Sequence, residues 1–134
     1  MTLHGSCLCE TVRYEADQLD GPIVHCHCPT CRKAHASAFN SSAAVERRHF
    51  RWTAGEAKLS RYASSPDKNS WFCSVCGSQM IAEFPARSRV LLRVATLDDD
   101  PGVRPTEHIW TSEHAPWLID DAAVARYPEW PPGH

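Results

Sequence analysis

The sequence predicts a mainly β fold, and three observations support this prediction. Many short runs combine β-branched and aromatic residues, lie close together along the chain, and are bounded by Gly, Pro, Asn or Asp. Almost no segment shows the apolar spacing of an amphipathic helix. In addition, all seven cysteines fall into three short blocks. Together these features indicate small sheets whose turns carry clustered thiols.

The composition fits one ordinary globular domain over residues 1–134. Hydrophobic residues make up 43% of the chain and charged residues 22%. The formal net charge of −2 gives no reason to expect nucleic acid or an anionic membrane surface as a partner. No apolar run reaches the length that crosses a bilayer. Because residues 1–6 lack the apolar segment of a signal peptide, we expect a cytoplasmic location, where clustered cysteines bind metal or react rather than form disulfides.

The first strand is predicted from strict alternation. Residues 11–16 alternate polar and apolar, so Val12, Tyr14 and Ala16 are predicted to face the core. An Asp-Gly-Pro turn at residues 20–22 precedes the next strand. Residues 29–38, which begin with proline and continue with Arg, Lys and Ala, suit a turn or a short helix. Further short strands are predicted at residues 23–26, 41–45, 50–52, 59–62, 79–84, 90–96 and 107–111, and residues 70–73 lead into the second cysteine pair.

Turn residues predict the remaining connections. Residues 53–56 (Thr-Ala-Gly-Glu) suit a hairpin between the strands on either side. Residues 64–69 and 98–102 are predicted to be loops, and residues 122–126 allow a short helix. The five tryptophans are predicted mainly to pack in the core, and the second interpretation is that Trp110 or Trp117 forms a pocket wall.

The spacing of the cysteines is typical of metal ligands. In Cys7-x-Cys9, residues i and i+2 of extended backbone place both sulfurs on one side. A two-residue gap, as in Cys73-x-x-Cys76 and Cys28-x-x-Cys31, is the usual spacing of a zinc knuckle. Gly77 directly follows the last cysteine, where a left-handed backbone is often needed. These patterns predict zinc.

Four thiolates close a tetrahedral zinc site, whereas three leave one position free for water or substrate. Cys7 and Cys9 could join Cys73 and Cys76, which would leave Cys26, Cys28 and Cys31 as the three-ligand set. They could equally join Cys28 and Cys31, and spacing does not decide between these pairings. A thioredoxin-like redox role would need a βαβ context that the sequence lacks, and an iron–sulfur cluster would leave three cysteines idle.

Several polar residues flank the central cysteine block. His25 and His35 are candidates for a fourth ligand or a general base. His27 lies between two ligands and is predicted to point away from the metal, where it would make a supporting hydrogen bond. Arg32 and Lys33 either attract an anionic substrate or simply lie on a solvated turn. A histidine fourth ligand would make the site structural.

The motifs GSCxCxxVxY (residues 5–14), CHCxxCRK (26–33) and FCxxCGS (72–78) resemble the glutathione-dependent formaldehyde-activating enzyme family, which includes centromere protein V. The segment HIWTxxxAPW (108–117) is similar to the family's C-terminal part. Family members usually carry glycine at the positions of Glu10 and Ala36.

This resemblance implies a β-tent fold, in which small antiparallel sheets are organised around zinc. It also implies two metal sites with different roles. The resemblance assigns a structural zinc to Cys7, Cys9, Cys73 and Cys76, and a second zinc, catalytic in the enzyme members, to Cys26, Cys28 and Cys31.

A zinc site with three thiolates can take a thiol and polarise an aldehyde. The hypothesis is therefore a carbon–sulfur lyase that forms or cleaves an S-hydroxymethyl adduct of glutathione or a related thiol. The alternative is a non-catalytic zinc module that binds a protein or a small ligand. A zinc ribbon for nucleic acid is the weakest hypothesis, because the only tight basic clusters are Arg32-Lys33 and Arg47-Arg48.

Overall fold

The computed structural model describes residues 1–118 and 121–133, and within them the chain is mainly β, as the sequence predicts. Short strands connected by tight turns form two sheets. One short α-helix, α1 (Pro29–His35), follows the third strand. The strands are β1 (Leu3–Ser6), β2 (Arg13–Ala16), β3 (Val24–Cys26), β4 (Asn40–Glu46), β5 (Phe50–Ala54), β6 (Leu59–Ser65), β7 (Lys68–Cys73), β8 (Gln79–Glu83), β9 (Arg89–Arg93) and β10 (Glu107–Ile109).

The smaller sheet has the order β1-β2-β5 and is antiparallel throughout. The predicted inward residues Val12, Tyr14 and Ala16 are all buried, which confirms the alternation. Gly5 lies directly opposite Tyr14 in the register of β1 and β2. The Tyr14 ring covers this glycine, and its hydroxyl bonds the Thr96 hydroxyl at 2.7 Å. This hydrogen bond ties β2 to the 3₁₀ turn at Val94–Thr96, which follows β9.

The larger sheet has the order β10-β3-β4-β9-β8-β7-β6. Its strands pair antiparallel except for β10, which runs parallel to β3. Both β3 and the helix that follows it belong to the central cysteine block, so the sheet fixes where that block lies. The last strand, β10, brings His108 beside His25 and Ile109 beside Cys26.

The hydrophobic core lies between the two sheets. Val12 lies directly before β2 and Tyr14 lies within it, whereas Val45, Met80 and Leu92 come from the larger sheet, and each is almost fully buried. Burying an aliphatic side chain of this size contributes about 1.5–3 kcal/mol relative to leaving it exposed. Cys73 is buried in the same cluster, so one thiol block is continuous with the core.

Helix α1 begins where the sequence predicts it. Pro29 occupies the first turn, and the Cys28 side chain accepts a hydrogen bond from the backbone N–H of Cys31 as the N-cap. The helix ends at Ala36, whose backbone is left-handed at φ 47° and whose N–H bonds the Arg32 carbonyl. The helix therefore carries Cys31 in its first turn and has Cys28 directly before it as the N-cap.

Three local predictions were wrong. Residues 53–56 do not form a hairpin, because β5 pairs with β2 while β6 pairs with β7 in the other sheet. Gly55, left-handed at φ 72°, turns the chain between the sheets. The predicted loop at 64–69 is mostly strand, with β6 and β7 joined tightly across Pro66 and Asp67. The predicted helix at 122–126 is replaced by a 3₁₀ turn over Asp121–Ala123.

Among the described residues, no helix has both the length and the apolar character needed to span a membrane.

Candidate metal centres

Four cysteines from the two sheets meet at one point. The sulfurs of Cys7, Cys9, Cys73 and Cys76 all lie within 4.8 Å of one another. The Cys7 and Cys9 sulfurs are 3.6 Å apart, and those of Cys9 and Cys73 are 3.9 Å apart. Zinc–sulfur bonds of about 2.3 Å in a tetrahedron place the sulfurs about 3.8 Å apart. The geometry therefore fits a tetrahedral zinc ion, and it corresponds to the first of the two pairings that the spacing left open.

Two turns position these sulfurs. Cys7 and Cys9 lie in the turn between β1 and β2, and Cys73 ends β7 ahead of the turn that holds Cys76. Backbone N–H groups point at two of the sulfurs, from Val12 to Cys7 at 3.3 Å and from Val75 to Cys73 at 3.4 Å. Such donors stabilise thiolates, as in metal-binding knuckles. Gly77 adopts φ 82°, as predicted for a residue that closes the knuckle.

The four thiols have opposing electrostatic environments. Burial raises the pKa of Cys7 to about 11, whereas a hydrogen bond with the Ser78 hydroxyl lowers the pKa of Cys76 to about 5. Ser78 also accepts the backbone N–H of Leu8 at 3.0 Å, so it joins the two turns. A bound cation would be needed to keep the buried Cys7 sulfur as a thiolate. The donor set thus fits a metal ion better than four free thiols.

The three central cysteines form a second cluster. The sulfurs of Cys26, Cys28 and Cys31 lie within 4.8 Å of one another, and no His, Asp or Glu of the described chain joins them in that range. Cys26 ends β3, whereas Cys28 and Cys31 sit at the start of α1. The Cys28 sulfur accepts the backbone N–H of Cys31 at 3.3 Å, and the Cys31 sulfur lies 3.9 Å from the Asn40 amide nitrogen. This set could hold a metal through three sulfurs.

Burial opposes negative charge at this second cluster too. It raises the pKa of the Cys31 thiol to about 12. At Cys28 burial also acts to raise the pKa, but hydrogen bonds from the backbone N–H of Cys31 and with the Cys31 and Cys26 thiols together outweigh it, and the pKa is lowered. As at the first cluster, three thiolates held this closely need a cation between them.

Arg93, at the end of β9, supplies positive charge next to this cluster. It is only 5% exposed, and its Nη1 donates to the Ser42 hydroxyl at 2.8 Å. No carboxylate in the described parts of the chain lies within ion-pairing distance of it, and its buried Nε has no partner there. Burial lowers its pKa, while the charges of Cys31, Cys26 and Cys28 act in the opposite direction. Arg93 therefore places a positive charge beside the three sulfurs, which favours their thiolate forms.

A cavity of about 500 Å³ opens onto all three central sulfurs. This volume lies within the range of small-molecule pockets. Ile109 and Trp110 line it, and Trp110 has a left-handed backbone at φ 57°, which is rare for a bulky residue. Trp110 is 60% exposed and Trp117 is 65% exposed, so core packing was the wrong prediction for both, whereas the pocket-wall interpretation holds for Trp110. The cavity also presents four cationic side chains, from Lys68, Arg87, Arg89 and Arg93.

The histidines near the central block contact each other rather than the sulfurs. His27 is buried, as its predicted position behind the ligands requires, and its Nε2 lies 2.8 Å from Nδ1 of His108. His25 bonds the Ser41 hydroxyl at 2.8 Å and packs against Phe39. His35, further along α1, is not part of the cluster, and burial lowers its pKa to about 4. His25 and His35 were the predicted candidates for a fourth ligand, and neither belongs to the cluster of three cysteine sulfurs.

Sequence reasoning missed three residues of this site. Asn40, Lys68 and Arg93 are brought to the cysteines by strands β4, β7 and β9. The signal for Arg93 was a charged residue inside the predicted apolar strand at 90–96. Lys68 gave no signal, because it appeared to belong to a polar loop.

The fold and the two clusters define a mainly β protein with two candidate zinc centres, one with four cysteine sulfurs and one with three. The family model for the glutathione-dependent formaldehyde-activating enzyme matches residues 2–113, and the chain belongs to that family. A comparison with curated protein sequences gives no match. Among solved structures, the chain is similar to a Rhodobacter sphaeroides protein known from a crystal structure. The two are 24% identical with a TM-score of 0.64, over 78% of this chain and 98% of the other, which shows a shared fold.

Proposed function

We propose that this protein is a zinc-dependent carbon–sulfur lyase that forms or cleaves the S-hydroxymethyl adduct of glutathione or a related thiol. The family supports glutathione and formaldehyde as the reactants. The observation that carries the proposal is the difference between the two clusters. One offers four sulfurs and is continuous with the core, whereas the other offers three and faces a cavity.

In this proposal Cys7, Cys9, Cys73 and Cys76 hold a structural zinc, because four thiolates leave no position for a reactant. Cys26, Cys28 and Cys31 hold the zinc at which the reaction occurs. When bound there, zinc would supply a Lewis acid and would favour the deprotonated form of a thiol.

The chain's own groups perform the remaining tasks. The Asn40 amide and the Cys31 N–H point at sulfurs, which fixes the orientation of the ligands and spreads their charge. Arg93 offsets that charge, so that a further anionic group can approach the site. Trp110 and Ile109 form an apolar wall of the cavity, which reduces the access of water.

The reaction itself needs little more than these groups. The thiol releases its proton to solvent, its sulfur adds to the aldehyde carbon, the carbonyl electron pair moves to oxygen, and that oxygen takes a proton from solvent. Cleavage of the adduct is the reverse. The main contribution of the site is to bring a deprotonated thiol and the aldehyde together.

Exchange NMR on glutathione with formaldehyde tests the proposal. The wild-type protein should carry two zinc ions and speed adduct interconversion. Cys28→Ser should lose the second zinc and the acceleration, while keeping its fold by circular dichroism. Ser37→Ala, just beyond α1, is the control and should behave as wild type.

If wild type leaves the uncatalysed rate unchanged, glutathione–formaldehyde chemistry is excluded for this chain. If Cys28→Ser keeps full rate and both metal ions, the assignment of the reacting centre is wrong. In the first case the non-catalytic zinc module becomes the better hypothesis.

A further inference from the structure

Apart from the three central cysteines, the charged side chains that line the cavity around them are all cationic. Four of its lining side chains are cationic, and none of those that the structure describes is Asp or Glu. The whole protein has a formal net charge of −2, so this concentration is not a general property of the chain. A cavity of one sign attracts ligands of the other and repels ligands of its own.

Three of these cations have no carboxylate partner among residues 1–118 and 121–133. They are Lys68, Arg87 and Arg93, whereas Arg89 pairs with Glu46 at 2.8 Å. The Lys68 ammonium and the Arg87 guanidinium both lie over the Phe84 ring, at 5.9 and 4.0 Å from its centroid. The ring holds both cations at the cavity without neutralising them.

The carboxylates of Asp20 and Glu46, on two segments that line the cavity, have other partners. Glu46 bonds Arg89, and the Asp20 carboxylate accepts the backbone N–H of Glu46 at 2.7 Å and contacts His49 at 2.9 Å. Neither Asp20 nor Glu46 lines the cavity. Apart from the sulfurs of the three central cysteines, a ligand's ammonium group would therefore meet cations and no side-chain counter-charge within the described chain.

Building on the proposed function, we infer that this cavity selects a thiol by its carboxylates and does not recognise an amino group. The substrate class is an acidic thiol, in which a free amine is dispensable. Lys68 and Arg87 are the residues that recognise the carboxylates. Glutathione fits this class through its two carboxylates, and its amine contributes nothing to the affinity.

Calorimetric titration of the zinc-loaded protein with three probes tests this inference. The probes are glutathione, N-acetylglutathione and glutathione dimethyl ester. Blocking the amine should leave Kd within about fivefold of the value for glutathione. A change of that size is what the loss of a solvent-screened charge with no direct partner produces. Esterifying both carboxylates should weaken binding by about tenfold or more, because charge-assisted hydrogen bonds are lost.

Variants at the cavity identify the residues involved. Arg87→Met and Lys68→Met keep most of the aliphatic volume of the side chain. Each should raise the Kd for glutathione by about tenfold and leave the Kd for the dimethyl ester unchanged. Because Arg93 is buried and its loss could unfold the chain, these two partly exposed positions carry the test. Arg48→Met is the matched control, since Arg48 is exposed and does not line this cavity.

Weakening by tenfold or more on N-acetylation would overturn the inference, and so would an ester that binds as well as glutathione. If adduct exchange is accelerated but either of these results is found, only the inference fails. If no probe binds and no acceleration is seen, the proposed function fails with it.

Discussion

The contact between Gly5 and Tyr14 gives a quantitative prediction for Gly5→Ala. A Cβ built on Gly5 would lie 2.5 Å from the Tyr14 Cε1 and nearer still to Cζ and Oη, whereas ordinary contacts begin at 3.4 Å. The ring would have to move by about 1 Å or more. It has little room to do so, because it is almost fully buried, stacks on Phe50 and meets the edge of Trp52.

The expected cost follows from these contacts. Overpacking of this kind costs about 1–3 kcal/mol. Displacing the ring also strains the 2.7 Å hydrogen bond to Thr96, a loss of about 1 kcal/mol. We therefore expect Gly5→Ala to lower the free energy of unfolding by about 2–4 kcal/mol, which for a chain of this length lowers Tm by roughly 6–15 °C.

Thermal unfolding in saturating zinc measures this loss, because metal release would otherwise contribute to the transition. Gly21→Ala is the matched control, since its new Cβ would meet the Ala44 Cβ at an ordinary 3.4 Å. In a Tyr14→Leu background the atoms that clash are absent, so adding Gly5→Ala should cost about 0.5 kcal/mol or less. An equal loss in both backgrounds, or no loss in either, would refute the packing argument.

Four further predictions follow from single residues. Cys73→Ser should remove one zinc ion per chain by elemental analysis and lower stability by about 3 kcal/mol or more, since the residue is buried in the core. Leu92→Ala should cost about 2–5 kcal/mol in urea unfolding, because the side chain is fully buried. Ala36→Gly should raise stability by about 0.5–1 kcal/mol in the same assay, because φ 47° favours glycine. His35 has its pKa lowered from 6.5 to about 4, so the unfolded chain binds more protons between these values. Wild type should therefore lose more stability than His35→Gln as pH falls from 7 to 5, and an identical pH dependence of the two proteins would contradict this.

Local patterns were enough to predict much of the fold. The inward side of β2, the start of α1 at Pro29 and the left-handed Gly77 each depend on neighbouring residues, and the structure confirms them. The positions of Glu10 and Ala36, where family members usually carry glycine, adopt φ 64° and 47°. Glycine suits these positions in the relatives because it adopts a left-handed backbone without strain. In this chain Glu10 and Ala36 adopt the same conformation at an energetic cost.

Properties that depend on sheet order could not be predicted in this way. The cysteine pairing stayed open because nothing local says that the β1–β2 turn meets the β7–β8 turn. The hairpin predicted at residues 53–56 failed for the same reason, since β5 and β6 join different sheets. Lys68 and Arg93 are distant in sequence from the central cysteines and reach them only through strand pairing. Their contribution to the site is thus a property of the tertiary structure.

The four-cysteine cluster also makes a covalent loop of the chain when metal is bound. Cys9 and Cys73 are 64 positions apart, and the whole central block from Cys26 to Cys31 lies between them. In the chain-entropy model, a cross-link that closes a loop of this size lowers the entropy of the unfolded chain. This raises the free energy of the unfolded state by about 4 kcal/mol and stabilises the fold by the same amount. Losing that metal would therefore destabilise the fold that also holds the other cluster, whereas losing the second metal would leave the large loop closed. Because coupling between two binding sites is reciprocal, each metal favours binding of the other by the same factor, although the buried centre contributes more to the stability of the fold.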